Sequence, residues 1–257
     1  MTDAPMRYVE FEPIPELRPW IASIWSFSVA PGVDSIAHHV PLTGGAILSI
    51  GRNGELILTG ERTSPLITRV TGGDRFWGVH FWPAAAGAFL GVDPASLREW
   101  AGLARLHLNA QWCDQWRDVL TADGDIASIQ RIEELLRAVV QPRSLDPSVM
   151  TAVFRIIQSA GAEPVTQIAS AVGLSPRQLR RRFACEAALT PKELARVRRV
   201  RSVAATAATG EQRWIELASG GGYADQSHLV REFKEVLGLT PAGFRAHAER
   251  IAHRLVE

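Results

Sequence analysis

Short segments in which apolar and polar residues alternate occupy the first third of the chain. The segment WIASIWSFSV (20–29) predicts a strand with four apolar side chains on one face: Ile21, Trp25, Phe27 and Val29. AILSIG (46–51) and ELILTG (55–60) flank the pair RN, which predicts a β-hairpin. FWGVHFW (76–82) predicts a further strand with both faces apolar.

After residue 82 the spacing of apolar residues changes to that of helices, in PAAAGAFLG (83–91), DQWRDVL (114–120) and IASIQRIEELLRAVV (126–140). QPRSLDPS (141–148) contains two prolines and is the best candidate for a linker. Almost everything beyond it has helical spacing, and none of it predicts a strand.

A β-rich part followed by a helical part predicts an α+β protein of two domains. The front domain (1–142) is expected to be a barrel-like or sandwich domain with some helices. The back domain (143–257) is expected to be all-α, with two helix-turn-helix units joined by a long helix.

The two units are visible as an internal repeat, in which residues 168–191 resemble residues 217–241. The matched pairs lie 49 and then 50 residues apart: Ile168/Leu217, Ala169/Ala218, Gly173/Gly222, Leu179/Leu229, Phe183/Phe233, Thr190/Thr240 and Pro191/Pro241. The second copy therefore carries one extra residue in its turn. A repeat present in only two copies indicates a duplicated supersecondary unit, because a solenoid needs more copies.

Each unit has the pattern helix, glycine turn, helix. Gly173 and Gly222 stand where a tight turn needs a positive φ. In the first unit Ser175 is an N-cap, and Gln178 completes a capping box with it. In the second unit the N-cap position is expected to be Ala224, a poor cap, so this helix start should be less firmly set.

Four arginines lie within six positions of GLSPRQLRRRF (173–183). With Leu179 and Phe183 on the buried face, a helical wheel places Arg177 and Arg181 opposite the core, with Arg180 and Arg182 on the flanks. No acidic residue occurs from 173 to 184, whereas a merely solvated helix mixes charges. The arginine face is therefore predicted to meet a polyanion, as the second helix of a helix-turn-helix does in the DNA major groove.

The charge of the whole chain supports this division. The net charge is +1, but residues 1–142 have a balance of −5 and residues 143–257 a balance of +6. Two cysteines exclude a disulfide framework and a four-cysteine zinc site. No signal peptide or membrane-spanning run is recognised, so a cytoplasmic protein without a membrane partner is expected.

The second unit, LASGGGYADQSHLVREFKEVLGLTPAGFR (217–245), strongly resembles the AraC/XylS family of bacterial transcription regulators, and the resemblance extends over about residues 148–250. It implies two units held on one face of DNA by a long helix, here TPKELARVRRVRSVAATAAT (190–209). About 17 helical residues give about 25 Å, which is close to one DNA turn. It also implies a DNA operator, RNA polymerase and an effector as partners, and an activator that acts as a homodimer.

The positions that match the family's base readers are Arg177, Arg180 and Arg181 in the first unit and Gln226, Ser227 and Arg231 in the second. Val230 is a candidate for contact with a thymine methyl group. The expected phosphate contacts are Arg182, Lys234 and the helix starts at Thr190 and Thr240, and Gln178 completes the expected DNA-binding set. Three consecutive glycines in the second turn depart from the family pattern.

Seven of the eight tryptophans precede residue 120. They predict either an aromatic core or an effector pocket. The effector candidates are Trp25, His38, Trp77, His80 and Trp82. A metal site is not expected, since neighbouring strand residues such as His38 and His39 point to opposite faces. The front domain resembles, more weakly, a module of some AraC-type regulators whose ligands are largely unassigned.

Two other functions stay open for the front domain. It could serve only for dimerisation or for binding a protein partner, for which the apolar spacing in 126–140 is suited. It could also be a DNA-modifying enzyme, as in alkylation-repair proteins, but Cys113 has no neighbouring cation in sequence to form a thiolate. No nucleophile elbow, phosphate loop or cofactor motif is present, so a non-enzyme is expected.

Overall fold

The computed structural model describes residues 4–139, 143–209 and 214–256. The β-rich front and the helical back that the sequence predicts are both confirmed. The described strands are β1 Met6–Phe11, β2 Ile21–Val29, β3 Ile36–Val40, β4 Ile47–Ile50, β5 Leu56–Thr59, β6 Leu66–Val70, β7 Arg75–Phe81, β8 Ala101–Leu103 and β9 Ile251–Val256.

The strands form a seven-stranded sheet of order β8-β5-β4-β7-β2-β1-β9 and a two-stranded sheet, β3-β6. The predicted hairpin is confirmed, because β4 pairs antiparallel with β5. The predicted face of β2 is wrong at one position. An irregularity in the pairing between Ile21 and Ser23 shifts the alternation, so Ile21 packs with Ile24 instead of with Phe27.

The expectation that no strand follows the linker is wrong. Strand β9 comes after the second helix-turn-helix unit and lies parallel to β1, in register from Met6 beside Ile251. It therefore adds the end of the chain to the edge of the front sheet. Its six residues have no strong periodicity of their own, and the partner that completes their hydrogen bonds lies at the other end of the sequence.

The helices of the front part are α1 Ala86–Leu90, α2 Pro94–Leu97, α3 Ala110–Gln115, α4 Arg117–Thr121 and α5 Gly124–Arg137, with a 3₁₀ turn at Ala104–Leu106. The predicted linker and domain boundary fall partly on residues 140–142, outside the described residues. The helices of the back part are α6 Pro147–Gln158, α7 Val165–Ala171, α8 Pro176–Ala187, α9 Pro191–Thr209, α10 Trp214–Gly220, α11 Gln226–Leu237 and α12 Pro241–Ala248. None of the described helices has the length and apolar character needed to traverse a lipid bilayer.

The front core lies between one face of the seven-stranded sheet and the helices α1 and α3–α5. Trp77, Val79 and Phe81 of β7 all point into it, as their alternation predicts. They pack with Trp116 and Ile132 from the helices, and Trp77 and Trp116 are completely buried. This sheet face is therefore a packed core.

Each helix-turn-helix unit has its own apolar core, and the front domain contributes to both. Trp82 and Ala84, which follow β7, pack into the core of the first unit. Leu42 packs into the core of the second unit, with Leu229 and Phe233. The apolar burial that stabilises the two helix-turn-helix units therefore also holds them against the front domain.

Residues 40–45, which we call the strap, run from β3 to β4 and contact α11 and α9. The Leu42 amide donates to the Val236 carbonyl of α11 at 3.0 Å. Gly44 has a φ of +79°, and a Cβ there would overlap Leu194 of α9. Position 44 therefore requires glycine, both for its backbone conformation and for the close approach to α9.

A half-exposed ion pair and a buried carboxyl lie beside the strap. Arg98 donates to Glu193 at 2.9 Å, at the start of α9, and also to the Ala188 carbonyl at the end of α8. Glu61 lies near this pair and is only 8% exposed. Burial raises the pKa of the Glu61 carboxyl to about 8, against the lowering effect of Arg98 and with the help of the Glu193 charge.

The pKa of Glu61 is raised in the folded protein. The carboxyl therefore stays protonated at pH values above 4.5, at which it has lost its proton in the unfolded chain. Wild-type stability should therefore fall as pH rises from about 4.5 towards 8. We expect Glu61→Gln to raise the free energy of unfolding by about 1–3 kcal/mol at pH 7.5 and to leave it nearly unchanged at pH 4.5. Urea denaturation at both pH values measures the difference.

The matched control is Glu249→Gln, because Glu249 is exposed. It should show no such dependence on pH. An equal effect of Glu61→Gln at both pH values would show that folding does not shift the pKa of this carboxyl.

Candidate nucleic-acid interface

The first reader helix, α8, starts with the predicted capping box. The Ser175 amide donates to Gln178 Oε1 at 2.9 Å, and the Gln178 amide donates to Ser175 Oγ at 3.3 Å. Gly173 has the expected positive φ, +69°, in the turn before it. These two backbone amides have no partner within the helix and are satisfied by nearby side chains, so the start of α8 is set by its own sequence.

The predicted orientation of α8 is confirmed. Leu179 and Phe183 are fully buried at 0% exposure, which turns the opposite side of the helix outward. All four arginines of the sequence motif are exposed: Arg177, Arg180, Arg181 and Arg182. The surface on this side of α8 is therefore cationic and accessible in the presence of the front domain.

Three residues of the predicted DNA-binding set already have partners within the protein. Arg182 Nη1 lies 3.3 Å from Asp146 Oδ2, at the start of α6. The Gln178 side-chain oxygen accepts from Ser175, and the Thr190 amide donates to Glu193 Oε2 at 2.6 Å. Contacts of these groups with DNA stay predictions. To bind DNA, each group would have to share its hydrogen-bond partner within the protein or give it up.

The second reader helix, α11, is better capped than expected. Its N-cap is Asp225, whose Oδ1 accepts from the His228 amide at 2.7 Å, so the expected weak cap at Ala224 is wrong. The extra residue of this turn precedes the cap and shifts it by one position. Gly222 has a φ of +73°, as the turn requires.

The outward face of α11 carries the residues predicted for it. Leu229 and Phe233 are fully buried, as their counterparts are in α8. Five of the predicted residues line an open groove together with Glu235: Gln226, Ser227, Val230, Arg231 and Lys234. Thr240 caps α12, where its hydroxyl accepts from the Gly243 amide at 3.1 Å. The groove is less cationic than the face of α8, with two basic residues and one acidic residue.

A residue that the sequence analysis does not single out contacts α11. Arg196 of α9 pairs with Glu232 at 3.2 Å and with Glu235 on α11. It therefore joins the long helix to the second reader helix. The basic residues of α9 are visible in the sequence, but the acids that they meet are given only by the packing of the helices.

The connecting helix α9 has the predicted start, because Thr190 and Glu193 form a second capping box. It spans 19 residues, Pro191–Thr209. At 1.5 Å a residue its length is about 28 Å, close to the expected value and to one turn of DNA.

The effector candidates of the front domain are only partly brought together. Trp25 and His80 are neighbours on the second face of the sheet, with ring centroids 5.8 Å apart, and Tyr8 stacks on Trp25 at 5.9 Å. Removal from water, with the Arg201 charge, lowers the pKa of His80 to about 3. Trp77 lies on the opposite face, in the core.

Of the two other candidates, Trp82 lies at the first helix-turn-helix unit, whereas His38 reaches the cluster of Trp25 and Tyr8 through Phe27. Trp82 donates its indole N–H to the Arg18 carbonyl at 2.9 Å and packs on Phe154 of α6. His38 stacks on Phe27 at 4.5 Å. No three potential metal ligands among the described residues are placed to hold an ion. Burial raises the pKa of the Cys113 thiol, which opposes the thiolate that the repair-enzyme alternative needs.

Two family models match separate parts of the chain. Residues 168–247 match a helix-turn-helix domain, and this range contains both repeated units. Residues 9–100 match a domain of unknown function (DUF6597). A search of the curated proteins finds no match.

Solved structures of AraC-type regulators are similar at a distance. A regulator with an AraC-type DNA-binding domain from Chromobacterium violaceum is 20% identical, with 40% of this chain and 92% of that chain covered and a TM-score of 0.38. The C-terminal domain of AraT, a response regulator from Geobacillus stearothermophilus, is 23% identical, with 44% and 89% covered and a TM-score of 0.37. ToxT from Vibrio cholerae is 12% identical, with 95% and 97% covered and a TM-score of 0.42.

These overall likenesses are low, and the assignment depends on the matched range 168–247, on its repeat and on its two capped reader helices. The C-terminal region of this chain belongs to the AraC-type helix-turn-helix domains, as its resemblance to the AraC/XylS family implies.

Proposed function

We propose that the protein is a sequence-specific transcription regulator that binds an operator with both reader helices and answers to a small, partly apolar effector. The observation that carries the DNA-binding part is the shared design of α8 and α11. In each helix a leucine and a phenylalanine four residues apart are buried, and the opposite face is exposed and polar or cationic.

The two reader helices are suited to different parts of an operator. Arg177, Arg180 and Arg181 of α8 can bridge guanine O6 and N7, the commonest specific contact of arginine. In α11, Gln226 suits adenine, Arg231 suits guanine and the half-buried Val230 suits a thymine methyl group. We therefore infer that the first half-site is richer in guanine than the second.

Lys234 and Arg182 are assigned to phosphates, with the helix starts at Thr190 and Thr240. RNA polymerase as a partner, activation, a homodimer and a cytoplasmic location follow from the family resemblance and belong to the proposal. The absence of an enzymatic role is proposed on the same ground.

We expect the full-length protein to bind an operator selected from random DNA, with an affinity that falls steeply as salt rises. Neutralised phosphates release counterions, so log Kd against log salt should have a slope steeper than about 2 in magnitude. The full chain is required, because Leu42 and β1 of the front domain complete the packing of the back domain. Binding that does not respond to salt would contradict the charge argument.

A pair of variants separates base reading from phosphate binding. Arg181→Ala should cost about 1–3 kcal/mol on the selected operator and little on scrambled DNA, because Arg181 is assigned to a base. Arg182→Ala should weaken binding to both DNAs by the same factor and reduce the salt slope by about one. Titrations at several salt concentrations measure both effects.

Circular dichroism and thermal unfolding must match the wild type, especially for Arg182→Ala, which also removes the contact with Asp146. If Arg181→Ala weakens binding to both DNAs equally, α8 binds DNA through its charge alone, and the assignment of its base-reading face is wrong.

The proposed effector site is the face of the sheet around Trp25 and His80. The Trp25 indole nitrogen is buried and has no hydrogen-bond partner among the described residues. A ligand with an acceptor group could satisfy this donor, and Tyr8 would provide an aromatic surface beside it. Dimerisation alone is the competing function for the front domain.

An effector at this site should quench tryptophan emission in a screen of partly apolar metabolites. Trp25→Phe should remove the change, because it removes both the reporting ring and the donor. Trp100→Phe is the control, since Trp100 packs on His107 elsewhere in the front domain. If quenching persists in Trp25→Phe and disappears in Trp100→Phe, the effector binds near Trp100 and the proposed site is wrong. If emission stays unchanged across the screen, dimerisation is the favoured function.

A further inference from the structure

Three histidines from two parts of the chain meet where the front domain touches the second helix-turn-helix unit. His38 and His39 are neighbours on β3, and His247 lies on α12. The His247 ring centroid is 5.5 Å from that of His38 and 5.8 Å from that of His39. The cluster therefore spans the interface instead of belonging to one domain.

The three histidines are half-buried, and one ring nitrogen of each is closed to water. His38 Nδ1, His39 Nδ1 and His247 Nε2 are buried and have no partner among the described residues. Phe27 covers His38 from the front sheet. His39 Nδ1 lies so close to Gly238, the C-cap of α11, that a Cβ there would approach it to 2.9 Å. The imidazoles thus touch both α12 and the end of the second reader helix.

The surroundings of the cluster disfavour a positive charge. Burial, His247 and His39 together lower the pKa of His38 to about 4. Burial, His39 and Arg250 lower the pKa of His247. From β6 the cluster faces the uncharged partners Thr68 and Ile67.

The remaining charges near the cluster do not offset this. Arg69 and Glu249 are exposed. Arg245 of α12 lies over the Trp214 ring. The negative end of the α11 dipole lies beside His39.

We propose that His38, His39 and His247 form a proton-sensitive latch, which holds α12 against β3 when neutral and releases it when protonated. This latch goes beyond the proposed DNA binding and does not depend on it. The release is local, because the pairing of β9 with β1 and the burial of Leu42 hold the two parts together independently.

The direction of the response follows from proton binding. A released His38 has an ordinary pKa of 6.5 and takes up a proton between pH 7.5 and 5.5, whereas the docked ring stays neutral. Acidification therefore favours the released state, and docking is fully present only above about pH 6.5. Through His38 alone the ratio of docked to released protein should fall about tenfold over this range.

Hydrogen exchange of the full-length protein, corrected for intrinsic rates, tests the latch at pH 7.5 and 5.5. Protection of residues 241–248 and 36–40 should fall about tenfold at the lower pH in the wild type. The double variant His38→Gln, His247→Gln should lose most of this response, because it removes the two rings whose pKa the interface lowers. His253→Gln should keep it, because His253 is an exposed histidine on β9, outside the cluster.

An NMR titration of the histidine rings gives a second measurement that needs no variant. In the intact protein His38 should titrate well below 6. A His38 pKa above 6 would overturn the proposal, even if the double variant failed to fold. Equal responses of the wild type and the folded double variant in hydrogen exchange would overturn it as well.

Discussion

The burial of one leucine and one phenylalanine in each reader helix is the interaction on which the remaining structure depends. Leu179 and Phe183 fix the rotation of α8, and Leu229 and Phe233 fix that of α11. Once these side chains are buried, the opposite faces can only point to solvent or to a ligand. Caps at Ser175 and Asp225 set where each helix begins, so rotation and start are both determined before any DNA is bound.

The same cores also bind the front domain. Leu42 enters the second core, and Trp82 and Ala84 enter the first. Arg98 adds polar contacts to the end of α8 and the start of α9. The front sheet is therefore connected to both helix-turn-helix units by packed side chains.

Much of this was accessible from the sequence where the signal was local. The capping box at Ser175, the positive φ at Gly173 and Gly222, and the exposure of the α8 arginines follow from short-range spacing. Matching the second turn to the first predicts a cap at Ala224, because the repeat alone does not show that the extra residue precedes the cap. The contacts that join distant parts could not be predicted: Arg196 with α11, Leu42 with the second core, and β9 with β1. For each of these, the sequence shows a residue suited to pairing and gives no sign of its partner.

The effector candidates show the same limit. Alternation correctly separated the two faces of β7, but it could not tell which face would be filled by helices. Trp77 lies in the core for that reason, and Trp25 and His80 lie on the other face.

The parallel pairing of β9 with β1 has a mechanical consequence. The helical region leaves the front domain through the chain around residue 143 and returns to the same sheet at Ile251. It is consequently an insert anchored at both ends. Such a body cannot swing away as a domain on a single tether does, and Leu42, Trp82 and Ala84 hold it to the front domain between its two anchors. The orientation of α8 and α11 relative to the front sheet is therefore set at both ends of the helical region and between them.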